Sequence, residues 1–168
     1  MPGTHVRKAH QHDAERIADL HVRSIRELAS TVYEPDVIDA WSRPKDPDRY
    51  AIAEDGVYFL VAEVDGTVAG FGELRTAPDT EFSQVVDGEI GALYVDPAFV
   101  NRGIGSAIYE ELREQAVRLD MDSLGLWASL NAVGFYESRG FEVVRSFTHA
   151  FGGVVEAQVM EMYASLYQ

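Results

Sequence analysis

Apolar residues recur along this chain in two rhythms, and the change from one to the other predicts its organisation. Residues 4–9 read as a short strand. From Asp13 onward Ile17, Leu20, Ile25 and Leu28 fall on one helical stripe, so Asp13 opens an amphipathic helix. Pro35 to Trp41 predicts a second, shorter helix with proline in its first turn, where a missing N–H costs nothing. RPKDPDR reads as a loop, followed by another helical turn around Ala51. At Val57 the period drops to two: Val57–Val64 and Thr67–Leu74 are strands joined at Asp65-Gly66, a strong hairpin signal.

A polar loop through Pro78 and Asp79 leads to a strand from Glu89 to Val95, which Pro97 stops. A glycine-containing turn introduces a helix marked by Ile104, Ile108, Leu112, Ala116 and Leu119. Leu124–Ala128 is a short apolar strand and Ala132–Ser138 a short helix ended by Gly140. Val143–His149 and Val154–Met162 form a terminal hairpin across Gly152-Gly153. Strands in succession, then strand–helix–strand–helix, predict an α/β protein with a mixed sheet and helices on its faces. The 168 residues suit one domain, and no repeat or linker divides them.

Composition narrows the chemistry. Cysteine is absent, which excludes disulfides, thiolate metal sites and a cysteine nucleophile. No apolar run approaches the ~18–20 residues of a membrane span. MPGTHVRKAHQHD lacks the apolar core of a secretory leader, so a cytoplasmic location is expected. Asp and Glu total 28 against 14 Lys and Arg, a net charge of −14. That field opposes nucleic acid and anionic membranes as partners. Lys8 and Lys45 are the only lysines, and acid excess with scarce lysine predicts a protein solvated in concentrated salt. His5, His10 and His12 crowd the N-terminus without a metal-ligand spacing, so they read as surface histidines and no metal is expected.

The most informative segment is EIGALYVDPAFVNRGIGSAIYEEL, residues 89–112. A strand ends, a turn with Gly103 and Gly105 follows, and a helix begins, which is the layout of an anion site at a helix N-terminus. A dinucleotide fingerprint would need Gly or Ala at Ile108, and a P-loop would need Gly-Lys-Ser/Thr. Neither is present, and a plain strand-to-helix turn without ligand fits the segment taken alone. The local charge favours an anion: Pro97–Tyr109 and Ser123–Tyr136 contain no Asp or Glu.

The run LYVDPAFVNRGIGSAIYEEL, followed by SLNAVGFYESRGF at 129–141, resembles the GCN5-related N-acetyltransferases. The likeness extends more weakly from Val6 to Met162. It implies a mostly antiparallel mixed sheet of about seven strands, splayed at an acetyl-CoA site. It also implies direct transfer of the acetyl group to a primary amine in a ternary complex, with dimerisation a common habit of the family.

Residue by residue, the resemblance gives Val100, Asn101, Arg102, Gly103, Ile104, Gly105 and Ser106 to the pyrophosphate loop. Val100 departs from the family's usual Gln or Arg there, and Arg102 is expected to supply the missing charge. The splayed strand Glu89–Val95 is expected to provide free N–H groups for the oxyanion, and the backbone of Leu93, Tyr94 and Val95 to hold the pantetheine arm. Tyr136 matches the general acid, with Phe135 expected to fill the structural slot beside it. Asn131 is expected to contact CoA, to cap its helix, or both. Glu89 matches the general base of some members, with Glu73 the alternative. Tyr33 and Trp41 from the first two helices, and His149 and Phe151 from the last hairpin, are expected around the acceptor. Because an acidic protein attracts cations, polyamines, aminoglycosides or basic protein termini are the expected acceptors. Two other functions fit the same residues: a CoA-sensing module without turnover, and transfer of a longer acyl group.

Overall fold

The Asp65-Gly66 hairpin lies inside a seven-stranded sheet with strand order β1-β2-β3-β4-β5-β7-β6. The computed structural model describes residues 3–167. The strands are β1 (Thr4–Lys8), β2 (Val57–Val64), β3 (Thr67–Arg75), β4 (Gly88–Val95), β5 (Ser123–Ala128), β6 (Glu142–Phe151) and β7 (Val155–Ser165). All pairings are antiparallel except β4 with β5. The helices are α1 (Ala14–Leu28), α2 (Pro35–Trp41), α3 (Ile104–Arg118) and α4 (Val133–Glu137). This is the expected mixed sheet, and its open edges show that it does not close into a barrel.

Two apolar stripes explain where the long helices sit. Ile17 and Leu20 of α1 are buried against Phe59, Val61 and Phe71 on one face of the sheet. Ile104, Ile108, Leu112 and Ala116 of α3 are buried on the other face with Leu74, Ile90, Leu124 and Met162. Each fully buried Ile or Leu contributes about 1.5–3 kcal/mol, so these stripes anchor the layers. α2 packs with Phe151 and Val159 beside the β6–β7 hairpin. No helix among the described residues is long and apolar enough to cross a membrane.

Three local differences from the sequence reading have physical causes. The helical turn expected around Ala51 forms earlier, at Pro47–Arg49 inside the expected loop, because the Asp46 carboxylate accepts the Asp48 amide at 2.9 Å and caps it. Asp13 does not cap α1 with its side chain. Its buried carboxylate instead takes the His10 amide (2.7 Å) and both guanidinium arms of Arg7 (2.9 and 3.1 Å). Burial pushes that carboxyl up, but Arg7 and the His10 amide outweigh it and hold it below the usual value. Asn131 makes no capping bond either: a single helical turn at Leu130–Ala132 precedes α4, and neither element has a side-chain cap.

Candidate active site

β4 and β5 are in register only at Gly88–Leu124 and Glu89–Gly125, after which they part. From Ile90 onward β4 keeps β3 on one side and has no strand on the other. The gap opens into a cleft of about 980 Å³. Leu93, Tyr94 and Val95 line it, and the backbone polar groups on that side of β4 lack strand partners. This is the expected splay.

At one end of the cleft stands the start of α3. Gly103 has φ +76° and Asn101 φ +63°, a left-handed conformation that glycine adopts at little cost and asparagine tolerates. α3 begins with no side-chain cap and no acid in its first turn. Its leading N–H groups are therefore open to an anion. Val100, Asn101, Gly103, Ile104, Gly105 and Ser106 all line the cleft. Arg102 does not: its guanidinium lies over the Phe99 ring, 5.4 Å from the centroid. The cation facing the cleft is Arg139, stacked 3.7 Å from the Phe135 centroid and hydrogen-bonded to Ser106 Oγ in the first turn of α3. Uncapped amides plus Arg139 suit a pyrophosphate despite Val100.

Tyr136 and Asn131 line the same cleft. Tyr136 is buried, with Phe135 and Phe141 rings at 5.2 and 5.5 Å, and it lies deeper than half-buried Phe135, the reverse of the expected order. Burial raises its phenol, which therefore stays protonated at neutral pH. Asn131 is exposed to the cleft.

A second cavity of about 460 Å³ lies on the α1 side of β4. It shares Trp41, Gly91, Ala92, Tyr94, His149 and Phe151 with the cleft, so the two meet at the middle of β4. There the register slips: Glu73 pairs with Ala92 and Leu74 with Ile90, leaving Gly91 as a bulge. A side chain at 91 would put its Cβ 2.5 Å from Glu73 Oε2, so only glycine leaves room for that carboxylate.

Glu73 and Glu89 both face this cavity but are held differently. Glu89 accepts from the Asp79 amide (2.9 Å), the Thr80 amide (3.3 Å) and Thr80 Oγ1 (2.5 Å), so both of its oxygens are occupied in fixing the 79–80 loop. Glu73 is 7% exposed, and its Oε2 is buried without a hydrogen-bond partner. Arg75 Nε lies 2.5 Å away as an ion pair, without an N–H aligned on the oxygen. Burial raises the Glu73 carboxyl, Arg75 lowers it less, and Glu89 adds to the rise.

The expected acceptor residues divide by role. Trp41, His149 and Phe151 line both cavities, with Phe151 4.9 Å from each of the other two rings. Tyr33 lines neither. Its hydroxyl donates to Gln158 O (2.7 Å) and accepts the Leu130 amide (3.0 Å), tying the segment between α1 and α2 to β7 and to the turn before α4.

Among the lining residues that sequence reasoning missed are Arg139, His21, Lys45 and Arg49. His21 had a signal, since it falls four residues from both Ile17 and Ile25 on the buried stripe. Its Nδ1 meets Tyr50 OH at 2.9 Å and its Nε2 is buried without a partner. Burial, aided by Lys45 and Arg49, lowers it to about 3, so the ring is neutral. Arg139 follows Phe135 by one helical turn inside a motif already singled out. Among the described residues no group of three or more His, Asp or Glu side chains is arranged to hold a metal.

A splayed mixed sheet, with an anion-binding helix start on one side of the gap and buried carboxylates on the other, defines an acyl-CoA-type transferase fold. Residues 9–141 match the family described as Acetyltransferase (GNAT) family. The chain is 29% identical over 140 residues to an uncharacterized N-acetyltransferase of Archaeoglobus fulgidus, covering 80% of this chain and 90% of that one. A crystal structure described as a GCN5-related N-acetyltransferase, aminotransferase class II, from Rhodopseudomonas palustris superposes with TM-score 0.82 at 25% identity, covering 98% and 97% of the two chains. The PaiA N-acetyltransferase of Thermoplasma acidophilum, solved with coenzyme A, gives TM-score 0.74 at 22% identity over 96% and 98%. The chain belongs to the GNAT family of N-acetyltransferases, enzymes whose acyl donor is acetyl-CoA.

Proposed function

We propose that this chain transfers an acetyl group from acetyl-CoA directly to a primary amine, with Tyr136 as general acid and Glu73 as general base. The observation that carries the reading is the meeting of the two cavities at Gly91 and Ala92. Tyr136 lines one cavity and Glu73 the other, and the β4 edge where the two meet has no strand partner, which supports this reading. Acetyl-CoA supplies an acyl carbon activated by its thioester. The α3 amides, Ser106 and Arg139 bind its pyrophosphate, β4 from Leu93 to Val95 binds the arm, and Asn131 adds a polar contact. A free β4 N–H near the bulge receives the oxyanion.

An amine protonated at neutral pH must lose a proton before it attacks. Glu73 takes it: Arg75 is the one side chain its Oε2 contacts, as an ion pair, and burial raises its affinity for a proton. Glu89, expected from sequence as the base, would have to release Thr80 to do the same, so it acts by positioning the loop and adding negative charge beside Glu73. The new N–C bond forms as the C–S bond breaks, and Tyr136 donates its proton to the departing sulfur. Acetyl-CoA should raise Tm, and an amine panel should then release thiol. Tyr136→Phe should lower kcat roughly 10²-fold with KM for acetyl-CoA retained. Binding without release for any amine would make the chain a CoA-binding module, and unaltered kcat in Tyr136→Phe would reject the acid role.

A further inference from the structure

In this acid-rich chain Arg7, Arg16, Arg23, Arg75 and Arg145 each reach a carboxylate within 3.2 Å. Lys45 and Arg49 line the 460 Å³ cavity and make no ion pair among the described residues. Lys45 Nζ has one acceptor, Trp41 O at 2.5 Å, which leaves two of its three donors free. The Arg49 guanidinium makes no hydrogen bond among the described residues and rests 5.8 Å from the Tyr50 ring centroid. These two cations act on each other and on His21. Glu73 instead feels Arg75, Glu89 and Glu54. The cavity therefore has a cationic part built from the segment after α2 and an acidic part at β3 and β4. Its other charged lining groups, Arg75 and Asp79, belong to the acidic part, where Arg75 is already engaged by Glu73 and Glu54.

We infer that the acceptor is a small molecule in which a primary amine is joined to a carboxylate, as in an amino acid, with Lys45 and Arg49 receiving the carboxylate. This rests on the acetyl-transfer reading above and reverses the expectation of a polycation. Lys45, half-buried, and Arg49, exposed at the cavity rim, repel each other and have no carboxylate paired to either among the described residues, and a bound carboxylate neutralises both with charge-assisted hydrogen bonds. The same substrate offers its ammonium to Glu73 next to the bulge, with the charge of Glu89 beside it. A polyamine would satisfy the acidic part and be repelled by the other. The volume suits a small molecule, and Trp41, Tyr50, Phe71, Tyr94 and Phe151 give it apolar walls.

The test uses the full chain with saturating acetyl-CoA and reads thiol release. The probes are free amino acids with the amine one to five carbons from the carboxylate, each beside its own carboxamide, together with putrescine and spermidine. At least one free acid should exceed its amide in kcat/KM by about 10-fold or more, the range of a charge-assisted contact. Arg49→Gln should shrink that ratio about 10-fold, and Arg49→Glu should invert it. The Arg49 side chain is exposed and makes no hydrogen bond among the described residues, so neither change threatens the fold. Arg118→Gln, at the end of α3, should keep the ratio. Amides or diamines used as well as the acids, or a ratio that Arg49→Gln leaves intact, overturn the inference while acetyl transfer stands. A Tm rise with acetyl-CoA but no release for any amine overturns both.

Discussion

Gly91 is where the β4 bulge, the two cavities and Glu73 meet, so a single methyl group there tests the base assignment. The backbone at Gly91 lies outside the left-handed region, and alanine costs it no strain. The new Cβ would nevertheless stand 2.5 Å from Glu73 Oε2 and 2.9 Å from its Cδ. Ordinary non-bonded contact begins near 3.5 Å, so the carboxylate must retreat by roughly 1 Å. It has little freedom to do so, being buried and paired with Arg75. Overpacking of this kind costs about 1–3 kcal/mol. For a chain of this size that lowers Tm by about 2–12 °C. A misplacement of about 1 Å at a reacting group costs on the order of 10²-fold in kcat. Scanning calorimetry and thiol-release kinetics on Gly91→Ala measure both. In a Glu73→Ala background the three nearest contacts, to Oε2, Cδ and Cγ of Glu73, are gone, and the further loss of Tm should vanish. Wild-type Tm and kcat in Gly91→Ala, or an equal Tm loss in both backgrounds, would refute the claim that Gly91 exists to seat Glu73.

Arg139→Gln should raise KM for acetyl-CoA about 10-fold at nearly constant kcat, with Arg102→Gln within about twofold of wild type; the opposite ranking in steady-state kinetics returns the phosphate charge to Arg102. Because Glu73 must be ionised to accept a proton and burial raises it, the acid limb of kcat/KM should lie above the ordinary glutamate value of 4.5 and disappear in Glu73→Gln. The same shift has a stability sign: the protonated form is favoured in the folded state, so this contribution is present at low pH and lost as pH rises through the folded value. The Tm difference between Glu73→Gln and wild type should therefore grow in favour of Gln as pH rises, and a pH-independent difference contradicts it. The net charge of −14 predicts a Tm that climbs as salt rises. Between about 0.01 M and 1 M salt the screening length falls from about 30 Å to 3 Å. A flat thermal-shift series would remove the high-salt reading.

What the sequence disclosed follows the range of the interactions involved. The β2–β3 turn and the α3 stripe rest on neighbours within a few residues, and both were legible. The turn at Pro47–Arg49 was not, because it depends on Asp46 choosing the Asp48 amide over water. The insertion of β7 between β5 and β6 is a long-range pairing that no local pattern announces. Tyr136 and the loop at 100–106 were legible through a family motif. Arg139 sat in that motif unnoticed, since its relevance comes from Ser106 on another helix. Lys45 and Arg49 read as parts of a polar loop; what singles them out is that both line, without an ion pair among the described residues, the cavity that holds Glu73 and Glu89, a property of the fold alone. The base was ambiguous for a similar reason: two glutamates on adjacent strands differ only in who occupies their oxygens.

Asp96 links the charge of the chain to the geometry of the site. It lies one residue past β4, fully buried, and accepts Arg16 (2.5 Å) and Arg23 (2.9 Å) from α1 and the Ala98 amide (2.9 Å) from the turn leading to α3. One carboxylate thus ties the helix that carries His21 to the end of the strand that carries the bulge and to the approach to the phosphate loop. Removing one partner of a buried ion pair costs about 3–5 kcal/mol, and the low end applies because Arg16 and Arg23 keep 28% and 42% of their side chains in water. The loss falls on the attachment of α1, and α1 is a wall of both cavities. The acid excess is therefore not only a matter of solvation. Four of the five buried acids, Asp13, Glu73, Asp96 and Glu161, each engage an arginine, and against that background the two unpaired cations of the acceptor cavity are informative. In a chain with twice as many acids as bases, a lysine and an arginine left side by side without a carboxylate are best explained by an anion that arrives with the substrate.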